Sequence, residues 1–331
     1  MSEGESPYRR IWLSPNGVNM NMESEITTEP PLPGRVRAHV LIPFIVITLI
    51  WGSTWLVIRD QLGVVPSVWS VAYRFTIASL AMFAVAAVTR TPLRVGRQAW
   101  PLILLVGLAQ FVFNFNLVYR AEAYITSGLV AVIFALLLVP NAILARIFLK
   151  QGLSLPFLLG SIVAMGGIGL LFAHELKLDG ADNGAVLAGI GFALVSVCSA
   201  SVANVAQATD RARSIPIVAL IAWSMAAGAA ADIGIAWASA GPPVFDPRPG
   251  YVAGLLYLGL IASALAFLLY YRIIREIGAA RAAYSSVLIP VIAMALSTIF
   301  EGYRWSVTAA LGGVLTFAGL IVALSARRPS R

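Results

Sequence analysis

Charge is scarce in this chain. Asp, Glu, Lys and Arg make up 11% of its 331 residues, against roughly 25% in an ordinary soluble domain. The deficit runs through everything after residue 38, and hydrophobic residues reach 59% of the chain. Helices without polar faces cannot build a single soluble core, so a water-soluble fold is excluded. The one cysteine, Cys198, sits inside an apolar run. It can form no internal disulfide and has no cysteine partner for a metal. The two histidines, His39 and His174, flank apolar runs far apart in the chain. The paired histidines of HExxH and the histidine of a serine triad are both lacking. The reading is therefore of a protein that is not an enzyme and takes no cofactor and no metal. The net charge of +8 would suggest nucleic acid in a soluble chain. Here the basic residues fall in short clusters between apolar runs, with no basic face or aromatic platform, and no nucleic-acid partner is expected. No apolar run carries the like charges from which a channel ring is built.

Residues 1–38 are different in kind, with five acids, four arginines, five prolines and no apolar run. They read as a disordered cytoplasmic tail; a signal peptide would need a basic start and an apolar core. Met20 and Met22 are alternative starts within it. Beyond the tail, runs of about 20 apolar residues, enough to cross a bilayer, recur at roughly 40–58, 68–89, 100–119, 124–148, 155–173, 184–208, 214–238, 251–275, 280–300 and 307–325. Pro66, Pro92, Pro156, Pro216 and the Pro242-Pro243 pair fall at or near span ends, where a missing N–H costs least. Pro140 and Pro290 fall inside spans and are expected to kink them.

The runs repeat. LLVGL at 104–108, Tyr119-Arg120, Pro140, Gly160 and Gly167 are echoed by LYLGL at 256–260, Tyr271-Arg272, Pro290, Gly312 and Gly319. Gly107, Tyr119, Gly160 and Gly167 are each 152 residues from their counterparts. Five spans per copy is an odd number, so the second copy enters the membrane from the opposite side. The expected fold is an all-α polytopic membrane protein of ten transmembrane helices in two inverted repeats, 39–173 and 184–326. Such repeats are a mark of secondary transporters, which rock two halves about a central site. With the N-terminus inside, one side of the membrane holds seventeen Lys and Arg. The other holds only Arg59, Arg120, Lys177, Arg248 and Arg304. The positive-inside rule then puts both termini in the cytoplasm.

Several short motifs accompany this pattern: LIWGSTWLVIR at 49–59, Ala-Tyr-Arg-Phe at 72–75, AWSMAAG at 222–228, FEGYRW at 300–305 and LGGVLTFAG at 311–319. Together with the repeat they resemble the EamA family of the drug/metabolite transporter superfamily, over about residues 40–325. The resemblance implies a carrier in the bacterial inner (plasma) membrane, commonly an efflux protein for amino acids, other small metabolites or drug-like compounds. Two positions depart from the family pattern. Gln151 stands where first copies often carry an acid, and Ser224 stands in the second copy where the first has Arg74.

Ionisable groups inside spans are costly and therefore candidates for function. Arg74, Asp232 and Glu301 are read as gate or coupling residues, with protons as the candidate coupled ion through the two acids. Arg74 and Glu301 are both placed near the outer surface and are expected to pair across the halves. Polar and aromatic residues at mid-depth must face inward. Those expected to line a substrate path are Trp51, Thr54 and Trp55 in the first span, then Gln110 and Asn114 in the third. Asn141 follows in the fourth, Asn204 and Gln207 in the sixth, Tyr270 in the eighth and Ser285 in the ninth. Glycines 160, 166, 167, 169, 312, 313 and 319 read as helix-packing positions. The partners expected are a small-molecule substrate, the lipid bilayer and, for the assembly, none or a second copy (monomer or homodimer). The alternative reading is a lipid or glycan-lipid flipping subunit, which would need a lateral portal or a basic groove.

Overall fold

The computed structural model describes residues 38–175, 182–283 and 285–325; the expected tail and most of the loop around Lys177 lie outside them. All elements among the described residues are helical. The main helices are α1 (Ala38–Asp60), α2 (Ser67–Val88), α3 (Arg97–Glu122), α4 (Ser127–Leu149), α5 (Leu155–Glu175), α6 (Asn183–Gln207), α7 (Ile217–Ala240), α8 (Pro249–Ile277), α9 (Ser285–Phe300) and α10 (Val307–Ser325). Seven of them (α1–α4 and α6–α8) are long and apolar enough to cross a bilayer. The apolar parts of α5, α9 and α10 are shorter, spanning Leu155–Leu171, Leu288–Phe300 and Val307–Ala323.

The chain punctuates these helices with ordinary turn chemistry. Pro66 and Pro216 stand extended just before α2 and α7, and Pro249 opens α8. At those places the ring costs no helical hydrogen bond. Asp182 caps α6 by accepting from the N–H groups of Gly184 and Ala185. Helices α7 and α8 stop on Gly241 (φ 74°) and Gly278 (φ 86°), where a Cβ would be strained.

The two inward prolines behave differently. The Leu136 carbonyl would normally accept from residue 140, which as proline has no N–H. It accepts from Val139 instead, at 2.8 Å, and α4 breaks into a tight turn at Leu136–Leu137. Pro290 lies inside α9, which runs through it as one helix.

Three sets of contacts hold the bundle. Helix α2 packs along α7. Helices α3 and α8 each widen into a π-helical stretch, Gly107–Asn114 and Tyr257–Leu265, where the ladder shifts to i→i+5. Both stretches carry a glycine pressed on the facing helix. A Cβ on Gly107 would lie 2.7 Å from the Ser224 carbonyl oxygen, and one on Gly259 would lie 2.7 Å from Ile77 and 3.2 Å from the Arg74 carbonyl oxygen. Helices α5 and α10 pair through four glycines. Gly160 meets Gly319, and Gly167 meets Gly312 and Thr316, so closely that a Cβ at any of the four would fall 2.3–2.7 Å from backbone. Gly166 and Gly169 touch nothing within 4 Å, and Gly313 only grazes Trp305 at 3.9 Å. The packing role expected of all seven glycines therefore belongs to four of them.

Candidate functional site: a central cavity and its charged end

A cavity lies among α1, α2, α3, α4, α6, α8 and α9. Helical periodicity explains its wall. Helix α1 contributes Trp51, Thr54, Trp55 and Ile58, at i, i+3, i+4 and i+7 on one face. Helix α3 contributes Gln110, Asn114 and Val118, each one turn on from the last, with Phe115 beside them. Helix α6 contributes Ala200 and Asn204, α8 Phe267 and Tyr270, and α9 Ser285 and Ile289. Ala131, Phe134 and Leu137 face it from α4, and Arg74 reaches it from α2.

Aromatic packing shapes the wall. The Trp51 ring lies 4.8 Å from Tyr270 and 5.3 Å from Phe267. Its Nε1 donates to the Ala262 carbonyl at 3.1 Å, inside the π-helical stretch of α8. Trp55 lies 4.9 Å from Phe134, and its Nε1 has no partner. Asn114 Oδ1 accepts from Ser196 at 2.7 Å, while Gln110 Oε1 and Asn204 Oδ1 accept nothing. An apolar cleft with a few placed polar groups is the usual form of a small-molecule site.

Two of the expected lining residues lie outside this wall. Asn141 and Gln207 are buried, and their side-chain amides make no hydrogen bond. The tight turn before Pro140 has about 3.0 residues per turn where an α-helix has 3.6. Asn141 lies just beyond this break in α4. Gln207 is the last residue of α6, nearly a turn beyond Asn204.

The expected pairing of Arg74 with Glu301 is not seen. Arg74 is buried in the cavity wall, where its Nε donates to Ser263 Oγ at 2.9 Å. Glu301 instead faces Arg59, with Nε and Oε1 3.9 Å apart. Glu301 Oε2 accepts from Ser127 Oγ at 2.7 Å and from Ser297 Oγ. The Arg59 Nη1 also donates to the Glu122 carbonyl oxygen. One cluster thus ties together the ends of α1, α3 and α9 and the start of α4, just beyond Ile58 and Val118. The Glu122 carboxyl is buried inside it without a hydrogen bond, within electrostatic reach of Glu301, Arg59 and Arg74. Asp232, the third ionisable candidate, is buried between α7 and α3, where Asn116 Nδ2 donates to its Oδ1 at 2.7 Å. It does not line the cavity.

The sequence profile of the EamA-like transporter family matches this chain twice, over residues 39–173 and 187–325. The chain belongs to that family. It is a multi-pass membrane protein of a transporter family, and both matched segments supply residues to the cavity wall. Protein PagO of Salmonella typhimurium (strain LT2) is 23% identical over 293 residues, 88% of this chain and 94% of PagO. Two Bacillus subtilis (strain 168) proteins described as uncharacterized transporters are also similar. YoaV is 20% identical over 86% of this chain and 96% of its own. YdfC is 25% identical over 82% and 86%. A solved crystal structure shares the fold, with a TM-score of 0.66 at 21% identity, covering 86% of this chain and 96% of the other.

Arg59 and Glu122 escape a reading of the sequence because charges at span ends pass for loop charges. The length of α3 is the signal that could have flagged Glu122. It runs 26 residues as one helix, more than the roughly 20 needed to span.

Proposed function

We propose that this transporter exports a small metabolite, amino acid or drug-like compound across the bacterial inner membrane by alternating access. The observation that carries the proposal is the cavity itself. Helices of both matched segments wall it with aromatic rings and amides, and the Arg59–Glu301 cluster lies across one end. In this reading α5, α9 and α10 are the three remaining spans, completing ten helices in two inverted repeats of five. The mirrored contacts support it: Gly107 lies on Ser224 and Gly259 on the Arg74 backbone, and Gly160–Gly319 mirrors Gly167–Gly312. In this reading both termini are inside, which the distribution of Lys and Arg supports, the Arg59–Glu301 cluster is outside, and the cavity is closed outward. Glu301 is the stronger candidate for proton coupling, because it sits in the cluster next to the cavity residues Ile58 and Val118, whereas Asp232 lies between α7 and α3.

The flipping alternative has one observation in its favour, an apolar groove between α4, α5, α9 and α10 that includes Val132, Val291, Trp305 and Phe317. None of the described residues lining it is basic, so it offers nothing for a phosphate head group. The test is growth rescue of an export-deficient host across a panel of toxic amino acids and amphipathic compounds, paired with uptake into inverted vesicles. Wild type should protect against and accumulate at least one of these compounds, and Trp51→Ala and Asn204→Ala should reduce both while expression holds. Protection that survives both substitutions at full strength would refute the assignment of the site.

A further inference from the structure

Among the described residues of the cavity wall, Arg74 is the one with a charged side chain. It is fully buried. Its Nε is used by Ser263, but Nη1 and Nη2 make no well-formed hydrogen bond. A guanidinium has five N–H donors in a rigid fork, and four of them are on those two nitrogens. The Phe115 ring covers one flat face, 4.3 Å from Cζ. The approach left to an acceptor is in the guanidinium plane, along the Nη edge. That is the edge a carboxylate grips with two parallel bonds. The protein supplies no such acceptor. The Tyr119 hydroxyl approaches the guanidinium and can satisfy at most one of the four Nη donors, and the Glu122 carboxylate lies within electrostatic reach; neither forms a carboxylate fork on the Nη edge, and neither lines the cavity. A desolvated cation with idle donors is expensive unless its partner arrives with the ligand. The rest of the wall suits an apolar body, with Trp51, Trp55, Phe115, Phe134 and Phe267 around it.

We infer that the occupant of the cavity is a small organic carboxylate with an apolar or aromatic body, its carboxylate held by the Nη edge of Arg74. This inference rests on the transporter reading and narrows it. Anions of this shape enter the site, and amphipathic amines lacking a carboxylate are repelled by the same guanidinium.

Three probes of one shape test it: 3-phenylpropanoate, its neutral amide 3-phenylpropanamide, and phenethylamine. The full chain is placed in lipid nanodiscs for binding and in proteoliposomes for uptake. Wild type should bind the carboxylate roughly ten- to hundredfold more tightly than the amide, as expected for a charge-assisted fork, and bind the amine least. Arg74→Gln should erase the preference by weakening the carboxylate alone. Arg74→Lys keeps the charge without the fork and should retain part of the preference; it also decides the matter if Arg74→Gln does not fold. Uptake of the amide or amine as readily as the carboxylate, or an unchanged ratio in a folded Arg74 variant, overturns the inference while leaving transport standing. A protein that neither binds nor moves any of the three overturns the inference. The vesicle panel described above then decides separately whether the transporter reading also falls. Were Arg74 there only to neutralise Glu122, Arg74→Gln would lower the melting temperature, Glu122→Gln would restore it, and the ligand ratio would not move; that pattern also overturns the inference.

Discussion

Adding two methyl groups to α5 should separate it from α10, and the structure predicts the sign against a neighbouring control. A Cβ on Gly167 would lie 2.4 Å from the Thr316 nitrogen and 2.5 Å from the Gly312 carbonyl oxygen. One on Gly160 would lie 2.3 Å from the Ala323 nitrogen. These obstacles are backbone and cannot rotate away. Ordinary contact begins near 3.4 Å, so the helices must part by about 1 Å at both crossings. Overpacking of this kind costs about 1–3 kcal/mol per site. Each Gly→Ala change inside a helix returns about 0.5–1 kcal/mol through propensity. The double variant Gly160→Ala/Gly167→Ala should therefore lose about 0–5 kcal/mol, with a midpoint near 2.5. At roughly 2–4 °C per kcal/mol for a domain somewhat smaller than this one, that is a fall of several degrees in Tm. The control is Gly166→Ala/Gly169→Ala, on the same helix, where a Cβ meets nothing within 4 Å. It keeps only the propensity gain and should melt at or slightly above wild type. Tryptophan fluorescence during a thermal ramp in nanodiscs reads both. Because α5 and α10 contribute no described residue to the cavity wall, transport per folded molecule should be unchanged in both variants. A double variant at Gly160 and Gly167 as stable as the control would refute the close crossing of α5 and α10.

Three further outcomes follow from the charged end, the topology and the break in α4. In a Cys198→Ser background, which removes the exposed native thiol, a cysteine at Ile58 should react with an external polar thiol reagent about tenfold faster once Glu301→Ala is added. Ser127→Ala/Ser297→Ala should reproduce most of that effect and Arg59→Ala little of it, because Arg59 is 43% exposed and such a pair contributes about 1 kcal/mol or less, whereas a hydrogen bond to a carboxylate contributes about 1.5–3 kcal/mol. A reporter active only in the cytoplasm should work when fused after Arg331, and one active only in the periplasm when inserted between Pro242 and Asp246; reversal of either would discard the orientation. Pro140→Ala restores an N–H that can reach the Leu136 carbonyl, so it should straighten α4, raise Tm and reduce uptake, and unchanged uptake would separate the break from transport.

Some helix ends were legible in the sequence because their causes are local. The prolines before α2 and α7 act through their own backbone and mark those ends; the glycines after α7 and α8 and Asp182 ahead of α6 act just as locally but were not singled out in the sequence. Much of the cavity wall was legible too, since a tryptophan or amide at mid-span has a reason to avoid lipid. The phenylalanines were not: Phe115, Phe134 and Phe267 are as comfortable in hydrocarbon as in a cavity, and composition cannot tell which side they face. Asn141 and Gln207 illustrate the next limit. Their amides required burial, and they are buried, but polarity says nothing about which cleft receives them. The π-helical stretches leave no trace beyond Gly107 and Gly259, because widening the ladder depends on the opposing helix. The pairing of Glu301 failed for a geometric reason. Counting residues from a span end gives no direction around the helix axis, and Arg59 was the arginine that faced the acid.

That pairing also bears on how two inverted copies could come to rest in one state. Pro140 and Pro290 are 150 residues apart, and so are Gln151 and Glu301. By the proposed symmetry the clasp built on Glu301 outside has its mirror at Gln151 inside. A neutral amide there can accept a hydrogen bond but cannot attract a guanidinium. The loss is sharper because Glu301 draws its strength from two hydroxyls donating to a charged oxygen, and a charged acceptor roughly doubles such bonds. If the outer clasp exceeds its mirror by about 1.4–2.8 kcal/mol, the empty protein is biased ten- to hundredfold toward the outward-closed state. For an exporter that bias has a use: the cavity waits open to the cytoplasm, where its cargo is. Gln151→Glu should then act oppositely to Glu301→Ala, lowering access from outside, and the two together should nearly cancel.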